Sequence, residues 1–192
     1  MDTFKAYYQF FGAIKNDDRE KITEVLDQYP DCVEWVEKRN LERTGLISAA
    51  SANKPDLVRF LLENGANPLA KQWAGGTALV VAADQGPSHL KVVQVLLEYP
   101  QDLNNLDVHQ TLPLWKAAQS SNNQKMVDLL IDAGANPNIP GTDTADEPIY
   151  MVPWGESKSM SKCLMDGKTR WDAQHLEDNT TPVPQVRRRP GL

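Results

Sequence analysis

VRFLLENGANPLA, residues 58–70, returns in outline as VDLLIDAGANPNI at 127–139. In both, an apolar pair is followed by two residues and then by Gly-Ala-Asn-Pro, starting at Gly65 and again at Gly134, 69 positions later. A gap of that size is about two units of 33 to 35 residues, and recurrence at a fixed period of this length marks a repeat architecture. The period predicts a middle copy. It is present as KVVQVLLEYPQDLNN at 91–105, which keeps the apolar spacing but carries Tyr99-Pro100 at the glycine turn. Leu61-Leu62, Leu96-Leu97 and Leu130-Ile131 therefore align in steps of 35 and 34. A second phrase recurs upstream, TGLISAA from Thr44, TALVVAA from Thr77 and LPLWKAA from Leu112, in steps of 33 and 35. The small mismatches fall in the connections at Gly86-Pro87-Ser88 and Ser121-Asn122-Asn123.

Each unit divides into two helical pieces. The first, such as 46–52 or 78–84, carries paired alanines (Ala49-Ala50, Ala82-Ala83, Ala117-Ala118), which let another helix approach closely. The second, such as 56–63, places Leu57, Phe60 and Leu61, and likewise Val92, Val95 and Leu96, at the i, i+3, i+4 spacing of a buried helix face. Pro55-Asp56 suits a helix start, because proline is tolerated in the first turn and an acid favours the positive N-terminal end. The glycine after the second piece predicts a left-handed stop, and Asn67 and Asn136, each before a proline, are pushed towards extended backbone. A single pair of this kind cannot bury its apolar face; stacked neighbours can.

Across residues 40–140, T-x-L-x-x-A-A followed by an apolar-x-x-L-L step and then G-A-N resembles the ankyrin repeat. The resemblance implies an all-α solenoid of about five helix-turn-helix units with short loop or hairpin tips. Residues 1–39 read as an N-terminal capping repeat, with Ile22, Val25 and Leu26 on a second helix. Residues 40–140 hold the three clear repeats. Residues 141–174 read as an atypical C-terminal capping repeat, in which Val152-Pro153 replaces the alanine pair. Residues 175–192, with three prolines and Arg187-Arg188-Arg189, read as a disordered tail. Either it is a solvated end, or it is a linear motif whose prolines favour an extended form and whose arginines meet an acidic groove.

The 192 residues carry a net charge of −6, which argues against DNA, RNA or an anionic membrane as the main partner. No run of 18 apolar residues is present to span a bilayer, and the acidic, aromatic start lacks the features of an export signal. With two cysteines 131 positions apart, a reduced, cytoplasmic protein is expected. His89, His109 and His175 lie in different units without a companion at ligand spacing and read as surface or turn histidines. Trp73-Ala74-Gly75-Gly76-Thr77 lacks the Gly-Lys-Ser/Thr ending of a phosphate loop and falls at a repeat turn. No metal, cofactor or small-molecule substrate is expected. Catalysis is not expected either; a nucleophilic Cys163 would need His175 within hydrogen-bond reach.

The resemblance implies protein binding through the loop tips and the first-helix face of the concave side. Carried onto this sequence, the partner-binding positions are Arg43, Trp73, Ala74, Gly76, Val108, His109, Thr111, Asp143 and Asp146 at the tips. Ser51, Asp84, Gln85, Gln119, Ser120 and Trp154 follow on the helices. Trp73 is either an exposed anchor or folds back onto its own loop; Trp115 and Tyr150 are expected within the scaffold, and Trp35 and Trp171 over the core ends. The acidic positions favour a basic partner surface. The expected function is therefore a non-catalytic inhibitor or immunity-type protein that occludes a basic partner. The competing expectation is an adaptor whose basic tail recruits a protein, nucleic acid or membrane.

Overall fold

In the computed structural model, the described residues are 3–38, 40–104, 112–119 and 123–137. Among them the helical spacings become four successive pairs. The first helices are α1 (Thr3–Asn16), α3 (Gly45–Ser51), α5 (Ala78–Asp84) and α7 (Pro113–Gln119). Their partners are α2 (Arg19–Gln28), α4 (Pro55–Glu63), α6 (Leu90–Leu97) and α8 (Gln124–Asp132). A two-residue antiparallel ladder, β1 (Val36–Glu37) with β2 (Arg43–Thr44), forms a hairpin between the first and second pairs.

Local chemistry sets the helix ends. Thr44 and Thr77, the threonines of the upstream phrase, cap α3 and α5: their side-chain oxygens accept from the Ile47 and Val80 amides. That satisfies donors which the first turn otherwise leaves open. Pro55 opens α4, as expected. At the far end Gly65 and Gly134 take φ of +88° and +101°, the left-handed region where a Cβ is costly. Gly65 N–H then donates to the Leu62 carbonyl, and Ala66 N–H to that of Leu61. Gly134 and Ala135 repeat the pattern onto Ile131 and Leu130, a double-bonded helix stop. The middle unit reaches the same end differently. There the Leu96 carbonyl accepts from Tyr99 N–H at 3.1 Å and from the Gln101 side-chain amide at 2.8 Å, where Leu61 and Leu130 accept from the backbone amide five residues on.

Packing follows the alanines. Ala49-Ala50, Ala82-Ala83 and Ala117-Ala118 are all buried, and α1, α3, α5 and α7 contact one another in that order. The second helices contribute the large side chains. Leu57, Leu61, Val92, Leu96, Met126 and Leu130 are fully buried between the rows. At the N-terminal end the core is closed by aromatics: Phe10 is fully buried against Phe11 and Trp35. Tyr7 Oη donates to the Val36 carbonyl and accepts from Lys38 N–H, tying the hairpin to α1.

Neighbouring units are also joined by side chains that reach the next backbone. Glu34 accepts from Asn67 N–H at 2.7 Å; Asn104 accepts from Asn136 N–H and donates to the Gly134 carbonyl. His89, expected at the surface or in a turn, sits in the turn before α6 but is buried, with Nε2 3.3 Å from the Ser51 carbonyl and Nδ1 2.9 Å from Ser88 Oγ. Its part is structural.

Candidate protein-binding surface

The first helices line one side of the stack, with the tips projecting beyond them. The hairpin tip is tight. Leu41 and Glu42 both have positive φ, +55° and +53°, and Arg43 N–H donates to the Asn40 carbonyl. Leu41 and Glu42 are the two central residues of the turn that this bond closes, within a five-residue connection between the strands, and consecutive left-handed positions normally belong to glycine or asparagine. Here a leucine occupies one, and it is exposed.

The next tip leans on this one. Trp73 N–H donates to the Leu41 carbonyl at 2.9 Å, so the two tips are tied through their backbones. The Trp73 residue is 72% exposed, which resolves the two sequence readings in favour of the outward one. Below the tips Arg43 is fixed: Nε donates to Gln72 Oε1 at 2.9 Å and Nη1 to Ser51 Oγ at 3.3 Å. Two expected surface residues, Arg43 and Ser51, are thus in direct contact. Ala74 is half-buried, whereas Gly76 is buried under the tip. Gly76 was expected in the binding set, yet its Cα lies beneath the turn, with Gln72, Val80 and Val81 around the place a Cβ would take. It shapes the tip from beneath.

On α5 and α7, Asp84 pairs with Lys116 Nζ at 3.1 Å, so its charge is locally balanced. Gln85 and Gln119 are exposed along the same side. Val108, His109, Thr111, Ser120, Asp143, Asp146 and Trp154 lie outside the described residues, as do Tyr150, Cys163, Trp171, His175 and the arginine run. Sequence reading passed over Leu41, Phe4 and Tyr8, all exposed. A single apolar residue within the polar run Lys38-Arg39-Asn40-Leu41-Glu42-Arg43 was the available signal for the first.

Cys32 is buried, and desolvation, reinforced by Asp31, pushes its thiol up to about 11, so it is protonated and unreactive near neutrality. Among the described residues no group of three His, Cys, Asp or Glu is placed to hold a metal ion, and no helix is long and apolar enough to cross a membrane.

A family model for ankyrin repeats in three copies matches residues 10–107 and 46–140. The chain belongs to the ankyrin repeat family. Ankyrin repeats are modules of protein–protein interaction, and the helix pairs described above are the all-α solenoid that the repeat phrases imply. Among curated proteins, the chain is 39% identical over 90 residues to the ankyrin repeat domain-containing protein OPG015 of Monkeypox virus. That match takes in 42% of this chain and 21% of the viral protein. It is 30% identical over 135 residues to alpha-latrocrustotoxin-Lt1a of Latrodectus tredecimguttatus, covering 69% of this chain and 9% of the toxin. With the E3 ubiquitin-protein ligase KEG of Arabidopsis thaliana it shares 36% identity over 103 residues, 50% of this chain and 6% of the ligase. The matched region thus spans about a fifth of the first relative and under a tenth of the other two.

Proposed function

We propose that this ankyrin chain is a non-catalytic binding protein that acts by occluding a partner protein, as an inhibitor or immunity-type protein does. The observation that carries the reading is the paired tip: Trp73, 72% exposed, bonded through its backbone to the exposed Leu41. Large aromatic side chains held on a rigid frame dominate interface energies, because they desolvate much area at little cost in entropy. Arg43, Ser51, Ala74, Asp84, Gln85 and Gln119 extend the surface along the first helices, and Val108, His109, Thr111, Ser120, Asp143, Asp146 and Trp154 continue it in the proposal. The net charge of −6 supports a basic partner drawn in electrostatically. Asp84 adds little to that attraction because Lys116 already pairs it. A cytoplasmic site of action accords with Cys32 standing as a free, buried thiol.

The test uses the full chain as bait in a lysate of its source cells, alongside Trp73→Ala and a variant with Arg187→Gln, Arg188→Gln and Arg189→Gln. The expected result is one protein held by the intact and arginine-free baits and lost by Trp73→Ala, whose own activity falls when the purified ankyrin protein is added back. Loss of capture only in the arginine-free bait overturns the reading and points to an adaptor that works through its tail.

A further inference from the structure

Arg43 belongs to both tips at once. Its backbone closes the first: Arg43 N–H donates to the Asn40 carbonyl at 3.1 Å, and the residue pairs with Glu37 in the short ladder. Its side chain reaches the second tip, where Nε donates at 2.9 Å to Oε1 of Gln72, 29 positions on. Gln72 is the base of that second turn. Its N–H donates to the Gly76 carbonyl at 3.1 Å, and its own carbonyl accepts from Gly75 N–H at 2.7 Å. Its side-chain amide lies so near Gly76 that a Cβ there would stand 3.4 Å from Nε2. Trp73 comes next, and its N–H donates to the Leu41 carbonyl at 2.9 Å. Residues 41 and 43 of one tip thus hold residues 73 and 72 of the other, a clamp with two points.

The guanidinium is held from a second side. Nη1 donates at 3.3 Å to Ser51 Oγ at the end of α3, and the Ser51 carbonyl in turn lies 3.3 Å from Nε2 of the buried His89. Two of the planar fork's nitrogens are engaged, so its direction is fixed. Left-handed backbone such as that of Leu41 and Glu42 persists where its surroundings over-determine it, and the bonds from Trp73 and Arg43 do so here. Resting on the reading of Trp73 as the anchor, we propose that Arg43 serves docking as a positioning residue: by holding Gln72 it fixes the turn that presents Trp73, so the two tips meet a partner as one rigid unit. The exposed ring then needs little ordering on binding, a cost that a loose loop would add.

The clamp is read without a partner, from the solvent-exchange rate of the Trp73 amide in the full chain by NMR, with the Gly65 and Ala66 amides of the α4 stop as internal reference. Arg43→Met keeps an unbranched side chain and loses the donors. Exchange at Trp73 is expected to quicken by roughly 3- to 10-fold while Gly65 and Ala66 keep the parent rates. Gln72→Glu keeps the shape and makes the acceptor an anion, so the bond from Arg43 becomes charge-assisted and exchange at Trp73 is expected to slow by roughly 3- to 10-fold. Adding Arg43→Met to Gln72→Glu is expected to cancel that gain. An unchanged Trp73 rate in Arg43→Met, a change shared equally by Gly65 and Ala66, or no slowing in Gln72→Glu overturns the proposal. The affinity of Trp73→Ala tests the anchor itself and leaves Arg43 in place, so the two readings fail separately.

Discussion

Two turns in this chain adopt left-handed backbone by opposite means. After α4 the residue is Gly65, φ +88°, and its amide and that of Ala66 close the helix onto Leu62 and Leu61. At the hairpin tip the residues are Leu41 and Glu42, φ +55° and +53°, where side chains crowd the backbone. The first turn recurs at Gly134 with the same bonds, closing the helices of the second and fourth pairs alike. The second carries a side chain that its backbone disfavours, and the side chain is exposed beside Trp73. Features that recur hold the solenoid together; the departure from the easy residue falls where a partner is proposed to dock.

Core substitutions probe the scaffold side of that contrast most severely. Leu96→Ala removes a fully buried side chain at the outer-helix seam and is expected to cost about 2–5 kcal/mol, read from chemical unfolding. Trp73→Ala, exposed as it is, is expected to leave unfolding within about 0.5 kcal/mol of the parent. The turns themselves give the sharper test. Gly65→Ala forces a Cβ into the left-handed region and is expected to destabilise by about 1–2 kcal/mol. Leu41→Gly does the reverse: relief of strain at a position that needs positive φ is expected to stabilise by up to about 1 kcal/mol. The same variant removes part of the proposed docking surface. Opposite signs for the two glycine substitutions uphold the comparison, and a loss of stability in both breaks it.

A smaller effect concerns pH. Arg59 and Glu98 form a two-pronged pair between α4 and α6, with Nη2 to Oε1 at 2.6 Å. That hydrogen bond, with the nearby charge, holds the Glu98 carboxyl below the ordinary value of 4.5. A carboxyl depressed in the folded state contributes stability above the unfolded value of 4.5, and that contribution is lost as pH falls through its folded value. Asp18, held low by the Lys21 ammonium and backbone N–H at the start of α2, adds in the same sense. Both lie at exposed sites, so the change is modest and weakens with salt. Unfolding curves of Glu98→Gln and the parent are expected to differ near neutral pH and to converge as pH falls through the lowered folded value of Glu98.

How much of this was legible in the sequence depended on periodicity. The helices α3, α4 and α5 fall within a residue of the expected 46–52, 56–63 and 78–84, because the alanine pairs, Thr44 and Thr77 and the Pro55 start are short-range signals. What did not repeat was not readable. The bond from His89 to Ser51 and the Tyr7 hydroxyl that pins the hairpin join residues 38 and 29 positions apart that only the fold brings together, and the Gln101 side chain that bonds Leu96 stands in a unit without the glycine stop. For the candidate surface, the repeat register puts Trp73 at a tip, but neither its outward exposure nor the backbone bond to a leucine 32 positions earlier is written in that register. Gly76 was placed in the binding set by register alone, and register says nothing of depth.

The most direct measurement is the affinity of purified Trp73→Ala for the captured partner, set beside its melting curve. With the tip as the anchor, affinity is expected to fall by roughly 30-fold or more, the equivalent of about 2 kcal/mol, while the melting curve stays with the parent. Unchanged affinity in a fully folded Trp73→Ala would contradict a binding surface centred on the paired tips.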